Sequence, residues 1–410
     1  MSQFNPSHGI STQVTHAAEG NNPLNVHVTP IYQTSTFTFP DVATGAAIFK
    51  GEQPGYIYTR YDNPNLSQLA DKLAILEGLD LLRARPGSLP TEVVEGMVFS
   101  SGMAAVTAAI LARVKGGGAI IAQEALYGGT YNFLHDIVPQ YGIQVILLSD
   151  PSPEAWEAAF RANPKATLAF AESPANPTMA VIDLAAIAGI AHQHNAWLMV
   201  DNTFATPYCQ RPLNLGTDVV VHSTTKYLSG HGLVIGGAVV SPHLDYLRTD
   251  LFTLLKVLGG SASPFDAWLT NNGLKTFELR MQRHCENAAL IAAHLNAHPK
   301  VTTVFYPGLE SRPDHAVARR QMLHFGGMLS FELKGGLEAG VSMMDRLKLA
   351  TMAPSLGTVD TLVQHPASMS HVSVPRETRL KMGITDGLVR LSVGIENVED
   401  ILADLDQALG

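Results

Sequence analysis

Short apolar runs alternate with helical stripes between residues 97 and 221, and this rhythm restricts the fold more than anything else in the sequence. Runs at Met97 to Ser100, Ala119 to Ala122, Gln144 to Leu148, Thr167 to Ala171, Trp197 to Val200 and Asp218 to Val221 have strand length. Between them, apolar residues recur at helical spacing over Met103 to Lys115, Thr130 to Tyr141, Glu154 to Ala162 and Leu184 to His194. Strand-helix alternation predicts an α/β fold, with a mostly parallel sheet covered on both faces. Ligands of such a sheet gather at the carboxyl ends of its strands.

The rhythm is absent on either side. Before it, Thr29-Pro-Ile-Tyr-Gln-Thr-Ser-Thr-Phe-Thr-Phe-Pro40 mixes hydroxyl and aromatic residues without a helical stripe, and reads as an extended arm up to about Pro64. Residues 66–79 have helical spacing, and Arg83-Ala-Arg-Pro-Gly-Ser-Leu-Pro90 then breaks the pattern into a loop. After Pro264 come a long helix from Asp266 to Leu295 and strands at Val301 to Tyr306, Gly327 to Leu333 and Leu388 to Ile395, which suggest a smaller α+β domain. The expected division is an arm over 1–65, a large domain over 66–264 and a C-terminal domain over 265–410.

Charge and cysteine content narrow the functional classes. A net charge of -9 without basic blocks gives no electrostatic footprint for nucleic acid or an anionic membrane. No apolar run nears the roughly 18 residues of a spanning helix, and the polar start at Met1-Ser-Gln-Phe lacks a signal pattern. With only Cys209 and Cys285 present, the cytoplasm is the expected compartment, and no metal is assigned.

The chemistry sits where strands end. Asp218-Val-Val-Val-His-Ser-Thr-Thr-Lys226 closes an apolar run with hydroxyl groups and one lysine. An amine that condenses with an aldehyde must lose its proton, which burial promotes, and Ser223 and Thr225 would offer an anion two hydroxyls on one side of a strand. Taken alone, Lys226 reads more readily as a surface lysine at a strand end. Ser100-Ser101-Gly102-Met103 turns from strand into helix, as a phosphate cradle does and as many other turns do. Asp201 ends Trp197-Leu-Met-Val-Asp201 as a partner for a protonated ring nitrogen or as a helix cap. Tyr127 before Gly128-Gly129 could lie flat on a ligand or serve structurally. Asn176, in Glu172-Ser-Pro-Ala-Asn-Pro177, could donate to a ring oxygen, and Arg390, inside an apolar strand, calls for a carboxylate.

In this order the motifs resemble the Cys/Met-metabolism (transsulfuration) family of fold-type-I pyridoxal phosphate enzymes, from about Ser11 to Leu409. Gln364-His-Pro-Ala-Ser-Met-Ser370 and Gly387-Leu-Val-Arg-Leu-Ser-Val-Gly394 look most like its methionine γ-lyase branch. The resemblance implies pyridoxal 5'-phosphate linked to Lys226, which also shuttles protons, with Asp201 on the pyridine nitrogen. Tyr127 would stack on the ring and protonate the leaving group. Ser101, Gly102, Met103, Ser223 and Thr225 would hold the phosphate, while Asn176, Ser355 and Arg390 orient the cofactor oxygen and the carboxylate of a small amino-acid substrate. Tyr58 and Arg60 would reach the phosphate of a neighbouring subunit, which implies a dimer, commonly doubled to a homotetramer.

The implied reaction is carbon-sulfur γ-elimination from methionine, homocysteine or cystathionine to an α-keto acid, ammonia and a thiol. γ-Replacement on an O-acylhomoserine is the alternative, and a non-catalytic fold relative a more distant one. Substrate-sensitive positions depart from the branch pattern: Gly129 replaces a cysteine, Lys256-Val257 replaces Lys-Asp, and Pro354 stands where cystathionine γ-lyases place a glutamate.

Overall fold

The computed structural model describes residues 4–19, 25–372, 375–381 and 383–410; the polar start at Met1 to Gln3 lies outside them. The large sheet has seven strands: β1 Glu95–Phe99, β2 Ala119–Gln123, β3 Gln144–Leu148, β4 Ala166–Glu172, β5 Trp197–Asp201, β6 Val219–Ser223 and β7 Gly237–Ser241. They lie in the order β1-β7-β6-β5-β4-β2-β3. The five from β3 to β6 pair in parallel, and β7 is antiparallel to both β6 and β1. Period-2 alternation sends Val219, Val221 and Ile120 to one apolar core, while Val220 and Ile121 enter cores on the opposite face. Covering both faces is why these strands read as nearly unbroken apolar runs.

Strand β7 is not among those expected from the apolar runs, because it opens on Gly236 and Gly237. A Cβ at Gly237 would lie 2.1 Å from the Ser101 carbonyl oxygen and one at Gly236 2.4 Å from Thr224 Oγ1. Gly237 admits the start of the helix Gly102–Arg113 against the sheet and Gly236 the turn after β6, so packing overrides the turn signal.

A second sheet contains β8 Val301–Phe305, β9 Met328–Leu333, β10 Thr351–Met352, β11 Leu362–Gln364 and β12 Leu388–Ser392, in the order β10-β11-β12-β9-β8. It is antiparallel apart from β10 with β11. The long helix expected from Asp266 to Leu295 is two helices, Pro264–Leu274 and Phe277–Ala297. Arg280 sits at the break: its Nη2 donates at 2.9 Å to the Gly273 carbonyl, an acceptor that a continuous helix would use, and its Nε donates to Thr276 Oγ1 at 3.2 Å. Likewise Thr130 to Tyr141 resolves into the α-helix Gly128–Asn132, a π-turn at Phe133–Ile137 and a 3-10 turn at Val138–Tyr141. The arm expected to be extended up to about Pro64 carries two short helices, Ile10–His16 and Val42–Phe49, and residues 29–40 form none. Asn65 ties residues 29–40 to the helix Pro64–Glu77 by donating to the Pro30 carbonyl and accepting from the Tyr32 amide.

Candidate active site

The carboxyl ends of β4, β5 and β6 open into a cavity of about 270 Å³. Its walls include Ser101, Gly102, Met103, Tyr127, Asn176, Asp201, Ser223, Thr225, Lys226 and Arg390, so residues scattered over the sequence share one space. Lys226 follows β6 in a tight turn, and its Nζ donates to Ser355 Oγ at 3.0 Å. Burial, reinforced by the Arg390 charge, draws the amine down to about 8. Arg280 holds the turn from behind by donating to the Tyr227 carbonyl at 2.8 Å; Gly230, at φ +72°, leaves room for that guanidinium.

The phosphate-sized end of the cavity is built by close approach. Ser101 caps the helix Gly102–Arg113 through Oγ, which accepts the Ala104 amide at 3.0 Å, leaving the first-turn amides of Gly102 and Met103 at the positive end of the dipole. A Cβ on Gly102 would lie 2.8 Å from Ser223 Cβ, so only glycine allows helix and strand end to meet here. Thr225 Oγ1 is turned toward Gly236, accepting its amide at 3.0 Å.

Two carboxylates lie side by side on β4 and β5, where Glu172 pairs with Asp201 in the register. Burial pushes both upward. Asp201 Oδ1 accepts the Thr203 amide at 3.0 Å. On the other wall, Arg390 Nη1 donates to Asn176 Oδ1 at 3.0 Å and Nη2 to the Pro354 and Ser355 carbonyls at 3.2 and 3.0 Å. Arg390 Nε is buried without a partner among the described residues. A guanidinium held by neutral acceptors with one donor spare suits an incoming carboxylate.

Tyr58 and Arg60 do not line this cavity. The Arg60 guanidinium lies 5.5 Å from the Tyr58 ring and 4.9 Å from that of Tyr61, and donates to the Lys256 carbonyl. The sequence reading passed over Glu172, although its signal matches that of Asp201: an ionisable residue ending an apolar strand. Ile235 and Leu356 also line the cavity and carry no motif that would have marked them.

These features meet a pyridine aldehyde phosphate group by group: helix amides for an anion, a depressed amine for an aldehyde, and a buried carboxylate whose charge calls for a cationic N-H donor. The model of the family described as Cys/Met metabolism PLP-dependent enzyme matches residues 11–410. The chain belongs to that family. Among its relatives, an L-methionine gamma-lyase of Porphyromonas gingivalis is 46% identical over 98% of this chain and 97% of its own length. The solved structure of metB from Corynebacterium glutamicum superposes with a TM-score of 0.89 at 39% identity, covering 99% of each chain. A cystathionine gamma synthase from Xanthomonas oryzae pv. oryzae, crystallised with aminoacrylate and cysteine, gives 0.89 at 36% identity and 98% of each chain. These similar proteins include one named for elimination, at 46% identity, and one named for replacement, at 36%. No helix of the described residues is long and apolar enough to cross a membrane.

Proposed function

We propose that this protein is a carbon-sulfur γ-lyase that converts methionine, homocysteine or cystathionine to an α-keto acid, ammonia and a thiol. The observation that carries the reading is the Lys226 amine, drawn down to about 8 and placed in one cavity with Asp201 and the spare Arg390 donor. Lys226 is the residue that would hold the cofactor covalently. Asp201 would hold its ring nitrogen, Tyr127 its ring face and Asn176, through the amide nitrogen, its ring oxygen. Ser101, Gly102 and Met103 would take the phosphate with Ser223 and with Thr225, once the latter releases Gly236.

When bound, pyridoxal phosphate supplies an aldehyde that accepts amines and a ring that takes up the electron pair left by a departing proton. Arg390 Nε binds the substrate carboxylate and so fixes Cα relative to Lys226. The Lys226 amine, in its neutral form, would remove the Cα proton and carry protons between carbons. The Tyr127 hydroxyl protonates the leaving sulfur. Ser355 Oγ, which accepts from Lys226 Nζ, sets where that amine rests.

Ile235, Pro354 and Leu356 give the cavity an apolar flank, which supports short thioether side chains over the charged distal end of cystathionine. The second reading is γ-replacement, favoured by the close superposition on the synthase. The proposed divisions are an arm over 1–65, a cofactor-binding domain over 66–264 and a C-terminal domain over 265–410. The proposed assembly is a cytoplasmic homotetramer in which Tyr58 and Arg60 serve the neighbouring subunit. Borohydride reduction should fix the cofactor to Lys226 and leave Lys226→Ala unlabelled. Methionine, homocysteine, cystathionine and O-acylhomoserines, with and without sulfide, should yield keto acid; exclusive formation of new thioether or thiol amino acid selects replacement.

A further inference from the structure

Glu172 is buried at the carboxyl end of β4, yet both oxygens of its side chain are engaged by backbone amides from two different loops. Oε2 accepts the Tyr127 N-H at 2.7 Å and Oε1 the Asn176 N-H at 2.8 Å. The turn bearing Tyr127 is held at a second point by Gln123, whose Nε2 donates to the Ala125 carbonyl at 2.6 Å and to the Glu172 carbonyl at 2.9 Å. From the other oxygen the connection continues through Asn176 Oδ1 to Arg390 Nη1 at 3.0 Å. One carboxyl group thus spans the two sides of the cavity; burial and the neighbouring Asp201 push it up to about 8, against the pull of its two amide bonds.

We propose that Glu172 is a positioning residue that sets Tyr127 and Asn176 together, tying the proton donor for the leaving sulfur to the guanidinium that receives the substrate carboxylate. This rests on the roles assigned above to Tyr127 and Arg390. The demand is geometric. Two backbone donors converge on two acceptor oxygens, so glutamine, which offers one oxygen and one NH₂, must turn a donor toward one of the amides. Aspartate keeps the carboxyl group but is one methylene shorter, too short to satisfy both loops.

The test uses the holoenzyme. The Lys226 linkage in the wild type comes first; its absence defeats the functional reading whatever Glu172 does. Given that linkage, Glu172→Gln should keep the visible band of the bound cofactor while kcat for methionine falls about ten- to a hundred-fold, as for one buried amide left facing a donor. The loss should be smaller for an O-acylhomoserine, whose carboxylate leaving group needs no proton from Tyr127; general damage to the site would lower both alike. In a cycle with Tyr127→Phe the losses should combine to less than their product. Losses that multiply in full, or equal losses on both substrates, overturn the proposal. If Glu172→Gln does not fold, Glu172→Asp takes its place in the same cycle under the same criteria.

Discussion

The two ends of the large sheet treat a buried carboxylate in opposite ways. At the carboxyl end, Asp201 and Glu172 lie side by side and burial pushes both above the ordinary carboxylate range. At the amino end, Asp218, just before β6, accepts from His192 Nε2 at 2.9 Å, His243 Nε2 at 2.8 Å and the Leu198 amide at 2.8 Å. Burial still works against it, but these bonds hold it below the ordinary value. The His243 ring stacks on Trp197 at 4.1 Å, under the Arg113 guanidinium 4.4 Å from that indole. One end spends its polar contacts on stability; at the other, Glu172 is held by two loop amides and Asp201 is left to be satisfied by whatever binds.

Substitutions at the two ends should separate these roles. The largest effect is expected for Asp201→Asn, with kcat falling about a hundred- to a thousand-fold, the scale of losing one aimed electrostatic group. Its melting temperature should hold or rise in the cofactor-free protein; a fall in stability without a kinetic loss would erase the contrast. Next, Asp218→Asn should leave kcat unchanged and cost about 1–3 kcal/mol of stability, the penalty for partners left buried and unmatched, read from denaturant unfolding. The sign of its pH dependence follows from the lowered folded value. The contribution of Asp218 is complete above the unfolded carboxylate range and is lost as pH falls through the folded value, so the variant should show a flatter acid limb. At the other end, the cofactor-free protein should bind the aldehyde faster as pH rises through about 8, where Lys226 gives up its proton, and level off above it. A rate that is flat across that range breaks the assignment of the depressed amine. The smallest change is expected for Gly129→Ala, whose new Cβ would lie 2.6 Å from Tyr127 Cε1. The ring must tilt, and relative rates across thiol leaving groups should shift by severalfold, about 1 kcal/mol or less.

Much of this contrast is legible in the sequence at one end only. Lys226, Asp201 and the Ser101-Gly102 turn stand out because each interrupts or closes an apolar run, and a parallel sheet converts that position into a shared rim. The mostly parallel sheet follows from the same runs. Glu172 escaped although it has the same placement, since its partners are backbone amides of loops, which leave no side-chain pattern. Strand β7 escaped because Gly236 and Gly237 mark a close approach rather than a turn. The His192-Asp218-His243 cluster joins a helix end, a strand start and a loop, and no spacing in one chain reveals such a meeting. The helix break at Arg280 is hidden in the same way: the contacts of that residue are visible only once the turn it holds has been placed beside it.

The contact between Lys226 and Ser355 spans 129 residues of chain, and Arg390 lies still farther along. Domains generally fold from the amino end as the polypeptide leaves the ribosome. A nascent chain halted before Ser355 contains the entire large sheet, yet it lacks the hydroxyl that receives the lysine amine and the guanidinium that helps to deprotonate it. The lysine is synthesised in the middle of translation, and its chemical environment is completed only near the end.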